Sequence, residues 1–268
     1  MTLIADDPII VAKFTRAAKH GIELRENISK WVKEDTELII DQSDDLRIGR
    51  LRLAVSSPPR VADWSVILGD TIHNLRSALD IWMYKYIVST CPDELEVEHK
   101  NIYFPVCDTG KAFTSWKNRT GSYLSGDMIT ALLEVQPYKL DAPLAQSAMW
   151  LIHQFDIADK HREPLVMDLA SQDGLSPFTF TTEHPEFTED SIRIRASSVS
   201  ISEGGLMVII ESDYPLYKLT LSGGLNLIPY FKFEDNSYQM VHTLTQFMPG
   251  VQQLLRRVEE LGTSTGLG

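Results

Sequence analysis

Hydrophobic positions recur at helical spacing over residues 61 to 88, where apolar and chemically capable side chains coincide. At about 100° per residue, they separate into two arcs of one helix. The mostly apolar arc holds Ile67, Leu68, Thr71, Leu75, Ala78, Leu79 and Trp82. The other holds Asp70, His73, Asn74, Ser77, Asp80 and Tyr84. A solvated face usually carries long lysines and glutamates, so these short groups indicate fixed hydrogen bonds, proton transfer or metal ligation.

A second helix is predicted over residues 8 to 34, because apolar residues there recur at alternating spacings of four and three. This seam consists of Ile10, Phe14, Ala17, Gly21, Leu24, Ile28 and Trp31. Such a seam packs along another helix, in the same chain or in a partner, and Pro8 suits the first helical turn. We therefore expect the seam to be largely covered, and self-association through residues 8 to 34 as a homodimer is one way to cover it.

The remaining pattern predicts an α+β protein. Alternation over residues 36 to 56 indicates a β-hairpin, and helices are expected over 125 to 135 and from Pro143 through 162. From residue 163, short β runs separated by turn residues indicate an antiparallel sheet, and residues 236 to 261 form an amphipathic closing helix. We expect a bundle-like helical part with the hairpin, residues 1–162, and a β-rich part, residues 163–268, or one continuous domain.

Composition narrows the classes of function. The chain has 268 residues, 43% of them hydrophobic, which is enough for a real core. Its net charge of −12 argues against general DNA binding, since phosphate contacts need clustered cations. The basic cluster of Arg47, Arg50, Arg52 and Arg60 is interpreted as a solvated strand face.

The two cysteines, Cys91 and Cys107, are too few for a disulfide framework or a four-thiolate zinc site. A cytoplasmic, reducing compartment is therefore expected. No apolar run approaches the roughly 20 residues needed to cross a bilayer, so no membrane association is predicted.

Two clusters carry the candidate chemistry: GDTIHNLRSALD at 69–80 and DIADKHR at 156–162. The acid–base candidates are His73 and His161; the carboxylates that would orient them or hold a cation are Asp70, Asp80 and Asp159; the substrate-binding candidates are Arg76, Asn74, Lys160 and Arg162. Imidazole exchanges protons near neutral pH, and guanidinium and ammonium groups bind phosphate. This combination favours phosphoester hydrolysis.

The two clusters should meet in space, because an orphaned buried charge costs about 3 to 5 kcal/mol. We expect His73 or Arg76 within hydrogen-bonding distance of residues 156–162. The pairs considered are Arg76 with Asp159, and Arg162 with Asp70 or Asp80.

Several blocks together resemble a widespread group of bacterial proteins of uncharacterised function. They are HNLRSALD, FPV at 104–106, QPY at 136–138 and DKHR at 159–162, followed by a β-rich part. The resemblance covers most of the chain and implies no particular activity. Members often have a second His after the Asp of the first block, where this chain has Ile81, so a role for that position is absent here.

Two narrower resemblances concern one helix. The segment DTIHNLR at 70–76 resembles the DxxHNxR segment of stringent-response alarmone hydrolases, whose motif Asp binds a metal in an HD-type site. This chain lacks the adjacent His-Asp pair of that family. A similarity to the helical HEPN ribonucleases rests on Arg and His within helices, but His73 here precedes Arg76, whereas their Arg comes first.

Two classes of function stay open on these grounds. The first is a phosphodiesterase or ribonuclease-like hydrolase acting on a nucleotide or RNA. A divalent cation held by Asp70, His73 and His161 is compatible with it but not favoured, since such spacings are common by chance. The second is a non-catalytic binding or scaffold protein whose polar cluster is a buried network that fixes two helices in register.

Overall fold

The computed structural model describes residues 4–90, 102–141, 147–161, 167–171, 178–196, 205–221, 227–233 and 236–263. Its helices are α1 Pro8–Asp35, α2 Val61–Thr90, α3 Gly110–Thr120, α4 Gly126–Glu134, α5 Ala148–His161 and α6 Met240–Thr263. Its strands are β1 Thr36–Gln42, β2 Ile48–Val55, β3 Met167–Ser171, β4 Phe178–Thr181, β5 Ile192–Ala196, β6 Gly205–Ser212, β7 Tyr217–Leu221, β8 Leu227–Phe233 and β9 Asn236–Gln239. The α+β class is confirmed, including the early hairpin and the closing helix.

The chain forms two compact units that interleave in sequence. The first comprises Met1–Leu24, Ala62–Val166 and Lys232–Gly268, and the second comprises Arg25–Val61 and Met167–Phe231. This grouping differs from the predicted division at residue 162, because β2 pairs with β6 and α6 packs on α4 and α5. The hairpin therefore belongs with the later strands, and the last helix with the earlier helices.

The first unit is built around α2. Large side chains from five segments are fully buried there: Trp82, Phe104, Trp116, Phe155 and Phe247. Fully burying a side chain of this size stabilises the fold by about 1.5 to 3 kcal/mol. The predicted apolar arc of α2 is the face that enters this core, since Leu68, Leu75 and Leu79 have no exposed surface.

The second unit contains a four-stranded antiparallel sheet in the order β1-β2-β6-β5, and two further antiparallel pairs, β4 with β7 and β3 with β8. Leu51 and Leu53 of β2 point into its core, while Arg52 on the opposite face pairs with Asp41 at 2.9 Å. Gly49 is required where β2 meets its neighbours, because a Cβ there would lie 2.6 Å from Ile210 Cγ2.

The seam of α1 is largely buried, as predicted. Ile10, Ala17 and Leu24 are buried in the first unit, and Ile28 and Trp31 in the second. The seam residue Phe14 is only half-buried. The chain itself therefore covers most of the stripe without a partner.

One local prediction needs correction, and one helix was not predicted. The polar segment around Lys117 is the helix α3, which Thr109 begins by accepting a hydrogen bond from the backbone N–H of Ala112. Residues 236 to 239, expected to be helical, form β9 instead. By contrast, the predicted helix over 125 to 135 is confirmed as α4, and of the two possible caps, Ser125 and Asp127, it is Ser125 that accepts from the Met128 N–H. No helix in the described ranges combines the length and apolar character needed to cross a lipid bilayer.

Candidate active site

The two polar clusters meet, as predicted, where α2 lies against α5. Nδ1 of His73 lies 3.0 Å from Oδ1 of Asp156. The Asp156 side chain is only 8% exposed, whereas the His73 side chain is 45% exposed. A buried carboxylate thus holds one edge of an imidazole ring whose body remains accessible to solvent.

The other ring nitrogen of His73 faces a hydroxyl group. Ser77 lies one turn further along α2, and its Oγ is 3.4 Å from Nε2 of His73. Residues four apart share a helix face, so α2 itself determines this approach. When Nδ1–H donates to Asp156, the acceptor lone pair of the neutral ring is on Nε2, toward Ser77. Asp156, His73 and Ser77 therefore form a continuous row of polar contacts.

An amide and an ammonium group lie next to this row. Asn74, adjacent to His73 in the sequence, donates from Nδ2 to the backbone carbonyl of Asp70 at 2.7 Å. Lys13 of α1 donates from Nζ to Oδ1 of Asn74 at 3.3 Å. Lys13, Asn74 and His73 are all partly exposed, so a cation stands on the accessible side of α2.

Asp159 packs against the backbone of α2 rather than against Arg76. A Cβ added at Gly69 would lie 2.6 Å from Oδ2 of Asp159, so only glycine permits this approach. Asp159 lies against Gly69, and Asp156 lies against His73. The later residue of α5 thus meets the earlier residue of α2, so the two helices run antiparallel here. The absence of a side chain at Gly69 thus leaves room for the Asp159 carboxylate against α2.

Arg76 and Asp80 form a separate structural network on α2. Nη2 of Arg76 donates to Oδ1 of Asp80 at 2.7 Å and to the carbonyl of Phe104 at 2.9 Å. The N–H of Phe104 donates to the same Asp80 oxygen at 3.0 Å. Both backbone groups of residue 104 are therefore satisfied by the HNLRSALD block.

Gln136 holds the same FPV segment from the other side. Its Oε1 accepts from the Cys107 N–H at 2.9 Å, and its Nε2 donates to the carbonyls of Pro105 at 3.2 Å and Leu132 at 2.8 Å. Gln136 has no exposed surface. Three of the four sequence blocks, HNLRSALD, FPV and QPY, are thus connected by buried hydrogen bonds whose role is architectural.

Burial changes the acidity of two groups in this network. Burial raises the pKa of Asp80 above its ordinary value; the positive charge of Arg76 and the Phe104 N–H oppose this rise, and the negative charge of Asp156 adds to it. Burial also raises the pKa of Cys107 to about 11, helped by Asp108. The Cys107 thiol is therefore protonated at neutral pH and is a poor nucleophile.

The predicted site residues divide accordingly. His73 belongs to the row formed with Asp156 and Ser77, and Asn74 lies next to it. Asp70 is exposed one turn earlier on α2. Arg76 and Asp80 instead hold Phe104. The predicted pairing of Arg76 with Asp159 is wrong, because within the described chain the guanidinium reaches Asp80 on its own helix, one turn away. The side chains of Lys160 and His161, and the whole of Arg162, lie outside the described residues.

The described side chains include no group of three His, Cys, Asp or Glu residues arranged to hold a metal ion. Nδ1 of His73 is directed at Asp156. The cation site considered for Asp70, His73 and His161 cannot be assembled from the described side chains, since that of His161 is outside them.

Sequence reasoning missed the roles of Asp156 and Ser77. Asp156 and Asp159 are three residues apart on α5, so periodicity could not decide which of them faces His73. Ser77 had a usable signal, because it follows His73 by four residues on the polar arc.

The chain matches no family model, no curated protein and no solved structure.

Proposed function

We propose that this protein hydrolyses a phosphoester bond in a nucleotide or RNA, with His73 as the proton-transfer group. The observation that supports the proposal is the pairing of a half-exposed imidazole with a buried carboxylate at 3.0 Å. The 45% exposed imidazole is open to solvent, while its buried partner orients it. A general base must reach the substrate.

The chemistry follows from the ring orientation. Asp156 accepts from Nδ1–H and stabilises the imidazolium that forms when Nε2 takes a proton. Nε2 removes a proton from the attacking oxygen and returns it to the leaving oxygen. Positioned proton transfer of this kind accelerates a reaction by about 10²- to 10⁴-fold.

A phosphoester is favoured over an uncharged ester by the cation beside the row. Lys13 is held by Asn74, next to His73 in the sequence, and an ammonium group binds phosphate as a point charge. Lys160 and Arg162 remain predicted phosphate contacts. Because the net charge is −12, the proposal is for a local site and not for an extended nucleic-acid surface.

A non-catalytic scaffold is the second candidate, and one observation favours it. Arg76 and Asp80 hold both backbone groups of Phe104, which is an architectural role. On this view the His73–Asp156 pair is also structural, and the acidic surface faces a protein partner.

The test is a hydrolysis screen with bis-p-nitrophenyl phosphate, cyclic nucleotides and a short RNA, with and without Mg²⁺ or Mn²⁺. His73→Gln and Asp156→Asn should each lower any activity by about 10²-fold or more. His184→Gln is the matched control, because His184 is stacked on Tyr214 in the second unit, with ring centroids 3.9 Å apart. Absence of wild-type hydrolysis across the screen, or undiminished activity in both site variants, would exclude the proposal.

Self-association through residues 8–34 and a cytoplasmic location remain predictions beside this one. Light scattering of the purified chain would test the first. Most seam residues are already buried within the chain, so a dimer would have to use other side chains of α1, such as the exposed Ile9, Val11 and Ile22.

A further inference from the structure

We infer that Ser77 is the nucleophile of this site and forms a covalent phosphoryl-enzyme intermediate. The inference rests on the proposed function, because it assigns the attacking oxygen for the same reaction. It makes Ser77, His73 and Asp156 a nucleophile, base and orienting carboxylate in that order. Such a constellation is recognised by geometry and roles, whatever the fold that carries it.

The distances agree with that assignment. Oγ of Ser77 is 3.4 Å from Nε2 of His73, and Nδ1 of His73 is 3.0 Å from Oδ1 of Asp156. Without substrate, the nucleophile–base contact is often looser than the roughly 2.6 to 3.2 Å of a working pair. Ser77 and His73 are both partly exposed, so this end of the row is not sealed from solvent.

The hydroxyl of Ser77 also differs from its neighbours on α2. Helical Ser and Thr commonly donate to a backbone carbonyl in the preceding turn. Thr71 does so to Ile67 at 2.9 Å, and Thr90 to Tyr86 at 3.0 Å. In the described part of the chain, Ser77 makes its one side-chain hydrogen-bond contact with the imidazole of His73 instead.

The reaction balances with water as the only co-reactant. Oγ of Ser77 attacks phosphorus, its proton moves to Nε2 of His73, and the bond from phosphorus to the leaving alcohol oxygen breaks. That oxygen takes the proton from Nε2. Water then attacks the phosphoryl-serine, His73 accepts its proton, and the proton returns to Oγ as the bond from phosphorus to Ser77 breaks.

A covalent probe tests the nucleophile separately from turnover. Diisopropyl fluorophosphate loses fluoride when a serine attacks its phosphorus, and the adduct is mapped by peptide mass spectrometry. We expect labelling of Ser77 in the wild-type chain, none in Ser77→Ala, and about 10²-fold slower labelling in His73→Gln. Ser89→Ala is the matched control, since Ser89 lies on the same helix and donates to the Tyr86 carbonyl at 2.8 Å.

The outcomes separate this inference from the proposed function. Hydrolysis that depends on His73 but survives in Ser77→Ala, with no label on Ser77, overturns the nucleophile and leaves the function. His73-dependent labelling of Ser77 without hydrolysis of any phosphoester tested supports the nucleophile and overturns the substrate class. A wild-type chain in which Ser77 is no more labelled than Ser89 overturns the inference, and no variant has to fold for that result.

Discussion

Two side-chain pairs that begin on α2, at His73 and Arg76, are arranged in opposite ways. In the first, the His73 side chain is 45% exposed and its carboxylate partner Asp156 is 8% exposed. In the second, the cation Arg76 is 5% exposed and its partner Asp80 is 36% exposed. The group able to exchange protons is the accessible member of one pair, and a permanently charged group is the hidden member of the other.

This difference separates a candidate reaction from a scaffold. The buried Nη2 of Arg76 donates to the carbonyl of Phe104 and to Asp80, so removing Arg76 takes the donor from that carbonyl and the positive charge from beside Asp80. In the described part of the chain, His73 contacts the side chains of Asp156 and Ser77. The buried cation thus supports the backbone at Phe104, and the exposed ring is the basis of the proposed reaction.

Replacing the hidden cation should have the largest effect. Arg76→Leu should lower the free energy of unfolding by about 3 to 5 kcal/mol, because it removes the positive charge beside Asp80 and the donor to the Phe104 carbonyl. Urea denaturation measures the loss. Arg256→Leu is the control, since its pair with Asp6 is exposed and worth about 1 kcal/mol or less. Equal losses in the two variants would contradict the architectural role.

Adding a methyl group at Gly69, where Asp159 of α5 lies against α2, should have a smaller effect on stability. Gly69→Ala should cost about 1 to 3 kcal/mol, because its Cβ would displace the Asp159 carboxylate. The displacement should also lengthen the contact of Asp156 with His73 and lower any hydrolysis. Gly250→Ala in α6 is the matched control, since no heavy atom lies within 4 Å of its added Cβ. A change in the midpoint of thermal unfolding no larger than that of the control would show that the Asp159 side chain moves aside without cost, and would contradict this prediction.

The acidity of Asp80 makes part of the Arg76 effect depend on pH. Because the pKa of Asp80 is raised in the folded protein, the folded state binds this proton more tightly than the unfolded chain does. The stability that this provides is complete below the unfolded pKa and is lost as the pH rises through the folded pKa. Arg76→Leu removes a positive charge that lowers the pKa of Asp80, so the folded pKa rises further. The pH range over which stability falls therefore extends to higher pH. The stability deficit of the variant should therefore be smallest at acid pH and grow toward pH 7. Denaturation at pH 4 to 7 checks this, and a deficit that shrinks as pH rises would reverse the assignment.

Replacing the accessible ring should have the smallest effect on stability. His73→Gln keeps a donor for Asp156 at a half-exposed position, so it should cost below about 1 kcal/mol. A cost comparable to that of Arg76→Leu would mean that the two pairs do the same architectural work. Differential scanning calorimetry of both variants in one buffer measures the contrast.

The fold was predictable where one pattern dominated a long segment. The alternation of Leu51 and Leu53 with Arg50 and Arg52 predicts the hairpin correctly, and the α2 arc predicts its buried face. The short helix α3 was missed because its apolar residues are few and Thr109 is its main signal. The grouping of the hairpin with later strands was not visible, since pairing of β2 with β6 leaves no trace in local periodicity.

The site was predictable in composition but not in pairing. The sequence identifies His73 and the acidic turn of α5 as partners, and the contact at Asp156 confirms that they meet. It also places Arg76 with the substrate-binding residues, because a guanidinium suits phosphate as well as a backbone carbonyl. Only burial distinguishes these two uses, and burial depends on the FPV segment that packs over Arg76 and Asp80.

The interleaved connectivity imposes a waiting time during synthesis. β2 pairs with β1 at once, but Leu53 meets Gly205 of β6 only after roughly 150 further residues have been made. At about 5 to 20 residues per second, that takes about 8 to 30 s. For this period β2 presents an open edge and the apolar faces of Leu51 and Leu53, a template for pairing with other chains. The hairpin is therefore exposed to mispairing for longer when translation is slower.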